Sequence, residues 1–218
     1  MGAAQFVTIF TRSGSIRTRI ASVSTLNAQA PFPLHLRFIT MPPQSDPPEL
    51  NASGLEIERT YLLDRLPDFP PDVLVYRLEQ GYLPDPSAAD EDNPVEGRLR
   101  RTVKADGSVI YTHTIKRGTG LIRQETERTI SQQEFDSLWP RTAGRRLSKA
   151  RYFVTVGEHL WAIDDFDDLD VVMAEVELPT PETKVPLPDW LTAVLVREVT
   201  EEPAYRSYRL AVRAGKMR

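Results

Sequence analysis

Residues 55–63, LEIERTYLL, alternate in character: Leu55, Ile57 and Tyr61 interleave with Glu56, Glu58 and Thr60. Successive side chains of a strand point to opposite faces, so Glu56 and Glu58 share one face. Like charges at that spacing repel, and a sheet tolerates them only when an opposite charge or an ion sits among them. The same two-residue period recurs down the chain. Arg98 and Arg100 share a face in GRLRR, Lys116 lines up with Thr112 and Thr114 in YTHTIKRG, and Arg123, Glu125 and Glu127 line up in LIRQETERTI. Lys149 and Arg151 do so in SKARYFV, Asp164 stands against Trp161 and Ile163 in LWAIDDF, and Glu175 and Glu177 alternate with Ala174, Val176 and Leu178.

One such strand reads as the solvated face of an antiparallel sheet. Repeated on seven strands, with like-signed neighbours, the pattern places the charges inside. The apolar partners Ile57, Leu99, Ile115, Tyr152, Ile163 and Val176 then form the core. The charged face becomes the lumen of a barrel wide enough to hold a ligand.

Strands are expected near residues 55–63, 73–80, 97–104, 108–116, 121–130, 150–156, 159–165 and 171–178, separated by Gly, Pro and Asp. Asp106-Gly107 marks a hairpin turn between two of them. Ser131 and Glu134 have capping-box spacing, predicting a short helix that stops near Pro140. A final helix is expected from about Ala204, with Tyr205, Tyr208 and Leu210 or Val212 as its packing stripe. The expected fold class is mainly β (α+β): an eight-stranded antiparallel β-barrel over residues 54–218, with flanking helices and a C-terminal helix. Residues 1–40 lack a sustained period and are followed by the proline-rich MPPQSDPPELNASG, so residues 1–53 are expected to stand outside the barrel as a disordered leader. That leader reads as a transit peptide, a flexible tail, or an extension upstream of a true start at Met41.

Composition narrows the chemistry. The chain has no cysteine, which excludes disulfides, thiolate zinc sites and cysteine nucleophiles and fits the cytoplasm. His35, His113 and His159 are scattered, so any metal would be held by carboxylates, favouring a hard ion such as Mg²⁺ or Mn²⁺. A net charge of −4 gives no expectation of a nucleic-acid partner. No apolar run approaches the roughly 18 residues of a membrane span, so no membrane partner is expected either. The kind of ligand is specified by the charges of the lumen. Its acids are Glu56, Glu58, Glu125, Glu127, Asp164, Glu175 and Glu177; its cations are Arg98, Arg100, Lys116, Arg123, Lys149 and Arg151. Enclosed charge on this scale is costly unless paired or ligated. Clustered carboxylates suit a divalent cation, and guanidinium forks suit the oxygens of a polyanion. Metal plus polyanion points to a phosphate ester or anhydride.

The stretch LEIERTYLL resembles the E-x-E-x-K signature of the CYTH, or triphosphate tunnel metalloenzyme, superfamily. The resemblance continues in order through LEQGYL (78–83), GRLRR (97–101), YTHTIKRG (111–118), LIRQETERTI (121–130), LSKARYFV (147–154), LWAIDDFDDL (160–169), MAEVELP (173–179) and the C-terminal block 188–211. It implies an eight-stranded tunnel that hydrolyses a small-molecule triphosphate, inorganic tripolyphosphate first among them, with Mg²⁺ or Mn²⁺. By similarity Glu56, Glu58, Asp164, Glu175 and Glu177 would be the metal-holding and catalytic acids. Arg98, Arg100, Lys116, Arg123, Lys149 and Arg151 would grip phosphate, and Glu125 and Glu127 would support them. The alternatives are a nucleotide-directed member, such as a class IV type adenylate cyclase or an organic triphosphatase, and a catalytically weakened polyphosphate-binding module. No aromatic cluster stands out beside the basic strands, which weighs against recognition of a base. Two positions depart from the family pattern: Thr60 replaces the signature lysine, and Ala162 stands where relatives often carry glutamate. One loss removes a positive charge and the other a negative one, so the two are expected to be coupled and to share neighbours.

Overall fold

The two-residue alternation is realised as nine antiparallel strands: β1 (Leu55–Leu63), β2 (Leu74–Tyr82), β3 (Val95–Val103), β4 (Val109–Arg117), β5 (Ile122–Thr129), β6 (Arg146–Val156), β7 (His159–Phe166), β8 (Val172–Glu177) and β9 (Leu195–Glu198). The computed structural model describes residues 54–71, 73–85 and 92–217; the expected leader over 1–53 lies outside them. The strand order is β5-β4-β3-β2-β6-β7-β8-β1-β9, and a further β1–β5 pairing closes the first eight into a barrel, with β9 outside. Closure is short. β1 meets β5 through Leu55↔Gln124, Glu56↔Arg123 and Ile57↔Ile122. Farther along β1, Tyr61↔Glu198 and Leu62↔Arg197 carry β9.

Local chemistry sets the turns. Gly107 has φ of 85°, a left-handed conformation that glycine adopts without strain. Beside it, the Ser108 amide donates to Asp106 Oδ1 at 2.8 Å, fixing the β3–β4 hairpin. Helix α1 (Gln132–Leu138) starts where Ser131 Oγ accepts from the Glu134 amide at 3.1 Å. A 3₁₀ turn over Trp139–Thr142 then takes up Pro140. Helix α2 (Asp189–Thr192) follows the proline-rich loop, and helix α3 (Ser207–Met217) ends the described chain. None of these helices is long and apolar enough to cross a membrane, among the described residues.

Three apolar clusters position the barrel. The outward faces of β1, β7 and β8 bury Tyr61, Trp161, Ile163 and Val176 beneath Leu191 and Val194. The outward face of β3 buries Leu99 against Phe135 of α1. The third cluster is different in kind, because its strand residues (Tyr82, Leu147, Phe166, Met173) are in phase with the inward charges. They meet Leu210, Ala211 and Ala214 of α3, so the helix seals one end of the lumen. Of the expected core, Leu99, Ile163 and Val176 are fully buried, and Ile57 and Tyr152 are partly buried against it. Ile115 instead lines a shallow outer groove with His113 and Arg117.

The differences from expectation have local causes. β6 begins at Arg146, four residues before the expected 150, because Leu147 and Lys149 keep the inward phase despite a polar run. β9 is a four-residue strand with no period long enough to announce it. Pro203 opens a 3₁₀ turn over Pro203–Tyr205, which delays α3 to Ser207.

The seal is tightly fitted. A Cβ on Gly215 would lie 2.0 Å from the Gly144 carbonyl oxygen, a backbone atom that cannot rotate away. Glycine to alanine inside a helix ordinarily stabilises by about 1 kcal/mol. Here the sign reverses: Gly215→Ala is expected to cost about 1–3 kcal/mol through overpacking. The measurement is a lowered urea midpoint at unchanged slope.

Candidate active site

The barrel encloses a cavity of about 730 Å³. Strand alternation delivers to it Glu56 and Glu58 from β1, Arg98 and Arg100 from β3, Lys116 from β4, Arg123, Glu125 and Glu127 from β5, Lys149 and Arg151 from β6, and Glu175 and Glu177 from β8. Asp164 of β7 does not reach the cavity wall. It is 0% exposed and sits behind the wall, where it accepts from Lys149 Nζ and from both Nε and Nη2 of Arg151 at 2.7 Å.

The cations and acids are interleaved. Lys116 Nζ lies 2.6 Å from Glu56 Oε1 and 2.7 Å from Glu125 Oε2. Arg123 Nη2 lies 3.0 Å from Glu56 and 3.6 Å from Glu58. Arg98 Nη2 donates to Thr114 Oγ1 at 3.0 Å and pairs with Glu127 at 3.2 Å, so Glu125 and Glu127 each lie against a cation. Arg151 bridges Asp164 and Glu175. These contacts divide the acids by protonation. Burial works against ionised Glu56 and Asp164, but Lys116 and Arg123 at the first, and Arg151 and Lys149 at the second, hold both carboxyls well below the ordinary range. Glu58 is the opposite case. Burial, then repulsion from Glu175 and Glu56, push its carboxyl up to about 8. Burial and Glu56 likewise raise Glu177. On the cation side, burial and Arg151 bring Lys149 down to about 8, and burial and Arg98 bring Arg100 down to about 10.

The paired acids of β1 and β8 are side by side on one wall and do not face each other across the tunnel. β8 lies directly beside β1, with Glu58↔Glu177 and Thr60↔Glu175 as register partners. Repulsion therefore acts sideways, along one wall. Among the described residues no three Asp, Glu or His side chains converge closely enough to hold a metal. The donor chemistry fits one nonetheless: Glu58 offers oxygen ligands beside two further glutamates, and a bound cation would relieve the repulsion that otherwise keeps its carboxyl protonated.

Thr60 and Ala162 both face the cavity and are both register partners of Glu175, one on each side. The two departures from the family pattern thus flank the same carboxylate. Sequence reading missed other lining groups. Glu96 continues the Arg98–Arg100 phase upstream on β3, a signal present in VEGRLRR. Arg206 arrives from the turn before α3, with Nε 3.9 Å from Glu96, and no periodicity marks it. The absence of aromatics beside the basic strands is also corrected: Tyr76 and Phe153 line the cavity, and Tyr76 is the register partner of Arg151. They come from different strands, so no run of sequence displays them together.

A closed antiparallel barrel with acids and guanidinium groups interleaved around its lumen defines a tunnel for a polyanion. Over 163 residues the chain is 33% identical to an inorganic triphosphatase from Nitrosomonas europaea, covering 72% of this chain and 97% of that protein. The chain belongs to the CYTH, or triphosphate tunnel metalloenzyme, superfamily. No family model matches it. The solved inorganic triphosphatase NE1496 is 33% identical, covers 72% of this chain and 97% of its own, and superposes with a TM-score of 0.48. The PH1819 protein of Pyrococcus horikoshii is 17% identical, covers 58% of this chain and 80% of its own, and has a TM-score of 0.42.

The protonation split has a measurable consequence. The Glu58 carboxyl titrates higher folded than unfolded, so its contribution to stability is complete below the ordinary value of 4.5. That contribution is lost as pH rises through about 8. In metal-free protein, Glu58→Gln is therefore expected to raise Tm by about 3 °C or more at pH 9.5 and to change it little at pH 4, below the ordinary carboxyl value. Thermal melts at the two pH values check the sign.

Proposed function

We propose that the chain is a metal-dependent triphosphatase whose substrate is inorganic tripolyphosphate. The observation that carries this reading is the interleaved lumen, in which Arg98, Arg100, Lys116, Arg123, Lys149 and Arg151 line one enclosed cavity or press directly on it. Similarity to an inorganic triphosphatase over nearly the whole of that protein supports it. The barrel domain covers residues 54–218, the preceding residues being a leader, and a cytoplasmic setting agrees with the lack of cysteine.

In this mechanism the six cations draw the phosphate chain into the tunnel and fix it in line with an attacking water. Water oxygen bonds to the terminal phosphorus, the phosphoanhydride bond breaks, and phosphate and pyrophosphate leave. Charge spreading onto the equatorial oxygens meets guanidinium groups already oriented by carboxylates, so little reorganisation is needed. Asp164 acts through Arg151 and Lys149, setting their positions from behind the wall. Glu58, Glu175 and Glu177, with Glu56 nearby, would hold Mg²⁺ or Mn²⁺. Such an ion supplies Lewis-acid polarisation of phosphoryl oxygens and a more acidic water. Asp164, fully engaged by two cations, fits the positioning role better than that of a ligand. The paired absence of lysine at Thr60 and glutamate at Ala162 leaves the charge around Glu175 balanced by Arg151, so turnover survives it.

The test is phosphate release from tripolyphosphate, ATP, thiamine triphosphate and pyrophosphate with Mg²⁺ or Mn²⁺. Tripolyphosphate is expected to turn over, and Glu56→Gln and Arg123→Ala each to lower kcat/KM by ~10²-fold or more. Absence of metal-dependent turnover on every substrate refutes the enzyme reading. Tight tripolyphosphate binding without turnover establishes a binding module instead.

A further inference from the structure

Gln80 of β2 is 0% exposed, a neutral amide set among the charges of the barrel interior. A buried amide needs a partner at each end, and both are present. In register, Gln80 stands beside Arg100 of β3. Arginine has only donors, so the amide turns its oxygen to the guanidinium, and Arg100 Nη2 donates to Gln80 Oε1 at 3.5 Å. That leaves the amide nitrogen for the Tyr82 hydroxyl, to which Gln80 Nε2 donates at 3.0 Å. Tyr82 is a fixed anchor. It is buried in the cluster that α3 seals, and it packs edge to face on Tyr208 with ring centroids 5.4 Å apart.

Arg100 differs from its fellow cations. Arg98, Lys116 and Arg123 each pair with two glutamates, and Lys149 and Arg151 both pair with Asp164. Among the described residues, no carboxylate lies within ion-pair distance of Arg100, and its Nε has no hydrogen-bond partner. Arg98 and Arg151 repel it, yet it lines the cavity. The chemistry of its tether therefore matters. A carboxylate at position 80 would reach the guanidinium from the same place and cancel its charge. An amide oxygen accepts the same hydrogen bond and leaves that charge intact. At the paired cations an entering phosphate shares each group with a resident acid; at Arg100 it meets an uncompensated guanidinium.

We propose that Gln80 is a positioning residue: anchored on Tyr82, its amide holds Arg100 at the cavity wall without neutralising it, so that Arg100 presents its full charge to the phosphate chain. The proposal rests on the triphosphate reading of the lumen and deepens it. Gln80 itself stays behind the wall and acts through Arg100 alone. Its neutrality is the working property, because the isosteric acid would hold the guanidinium equally well and leave it without charge to offer.

The experiment compares Gln80→Glu, Gln80→Met, Arg100→Met and the double variant Gln80→Met/Arg100→Met. Each is melted without ligand and titrated calorimetrically with tripolyphosphate in the absence of metal, and phosphate release is followed with Mg²⁺. Gln80→Glu is expected to lower tripolyphosphate affinity by ~10-fold while its ligand-free Tm stays at or above that of wild type, since a buried arginine gains a counter-charge. Gln80→Met is expected to lower affinity by ~5-fold when Arg100 is present and to change it little when Arg100 is methionine. A residue that served packing alone would lower Tm and affinity together, in both backgrounds. Unchanged affinity in Gln80→Glu overturns the proposal, as does a lowered Tm or failure of that variant to fold. A Gln80→Met loss that persists without Arg100 overturns it as well; if Gln80→Met does not fold, Gln80→Glu carries the test. The two readings fail separately. Gln80-dependent binding of tripolyphosphate without turnover removes the triphosphatase and keeps the positioning role; turnover with wild-type affinity in Gln80→Glu does the reverse.

Discussion

Charge compensation inside the barrel is the constraint on which the rest depends. The lumen takes acids and bases from six strands, with Asp164 of a seventh behind its wall, and any one of them alone would be prohibitively costly to enclose. The structure meets that cost by interleaving. Lys116 and Arg123 share Glu56, Arg98 sits between Glu125 and Glu127, and Arg151 spans Asp164 and Glu175. Each contact joins neighbouring or nearby strands, so the ion pairs that make the interior tolerable also specify the register. A slip of one residue would turn every charge toward the apolar exterior. Specification of the barrel and preparation of the site are thus one arrangement.

Balance is incomplete at one place. Along the wall where β1 meets β8, Glu58 and Glu177 are side by side and Glu175 is one pair further on. The nearest cation to Glu58 is Arg123 at 3.6 Å, which is already closer to Glu56. An excess of acidic groups is retained on this wall, its repulsion met by raising Glu58 and Glu177, while the cations of β3 and β6 stand elsewhere in the lumen. The separation suits a ligand that is itself two-part, a polyanion accompanied by a divalent cation.

The barrel was largely legible because its signal is repetitive. Eight strands carry the same two-residue alternation over eight or so residues each, long enough to outweigh weak local propensities. Where repetition fails, legibility fails with it. β9 spans only Leu195–Glu198, and its pairing with Tyr61 and Leu62 is decided by tertiary contact. The lining residues of the strands were readable for the same reason, Glu58 and Arg123 among them. Arg206 was not, since it enters from a turn. Asp164 shows the limit of phase as an argument: it points inward with its neighbours, yet Lys149 and Arg151 close over it, and depth is not encoded in alternation. The aromatic pair was hidden for a different reason, because Tyr76 and Phe153 meet only through the β2–β6 pairing.

The short closure between β1 and β5 gives the barrel a seam. Three residue pairs hold it, and the central one joins Glu56 to Arg123, two groups whose side chains also pair at 3.0 Å within the lumen. The tie across the seam and two of the charges presented to the lumen are therefore the same residues. Anything that recruits the Arg123 guanidinium loosens a tie at the place where the wall has fewest, and anything that spreads the wall withdraws a cation from the cavity. The charge presented to the tunnel and the integrity of its wall are linked through Arg123 and through Lys116, which joins Glu56 of β1 to Glu125 of β5.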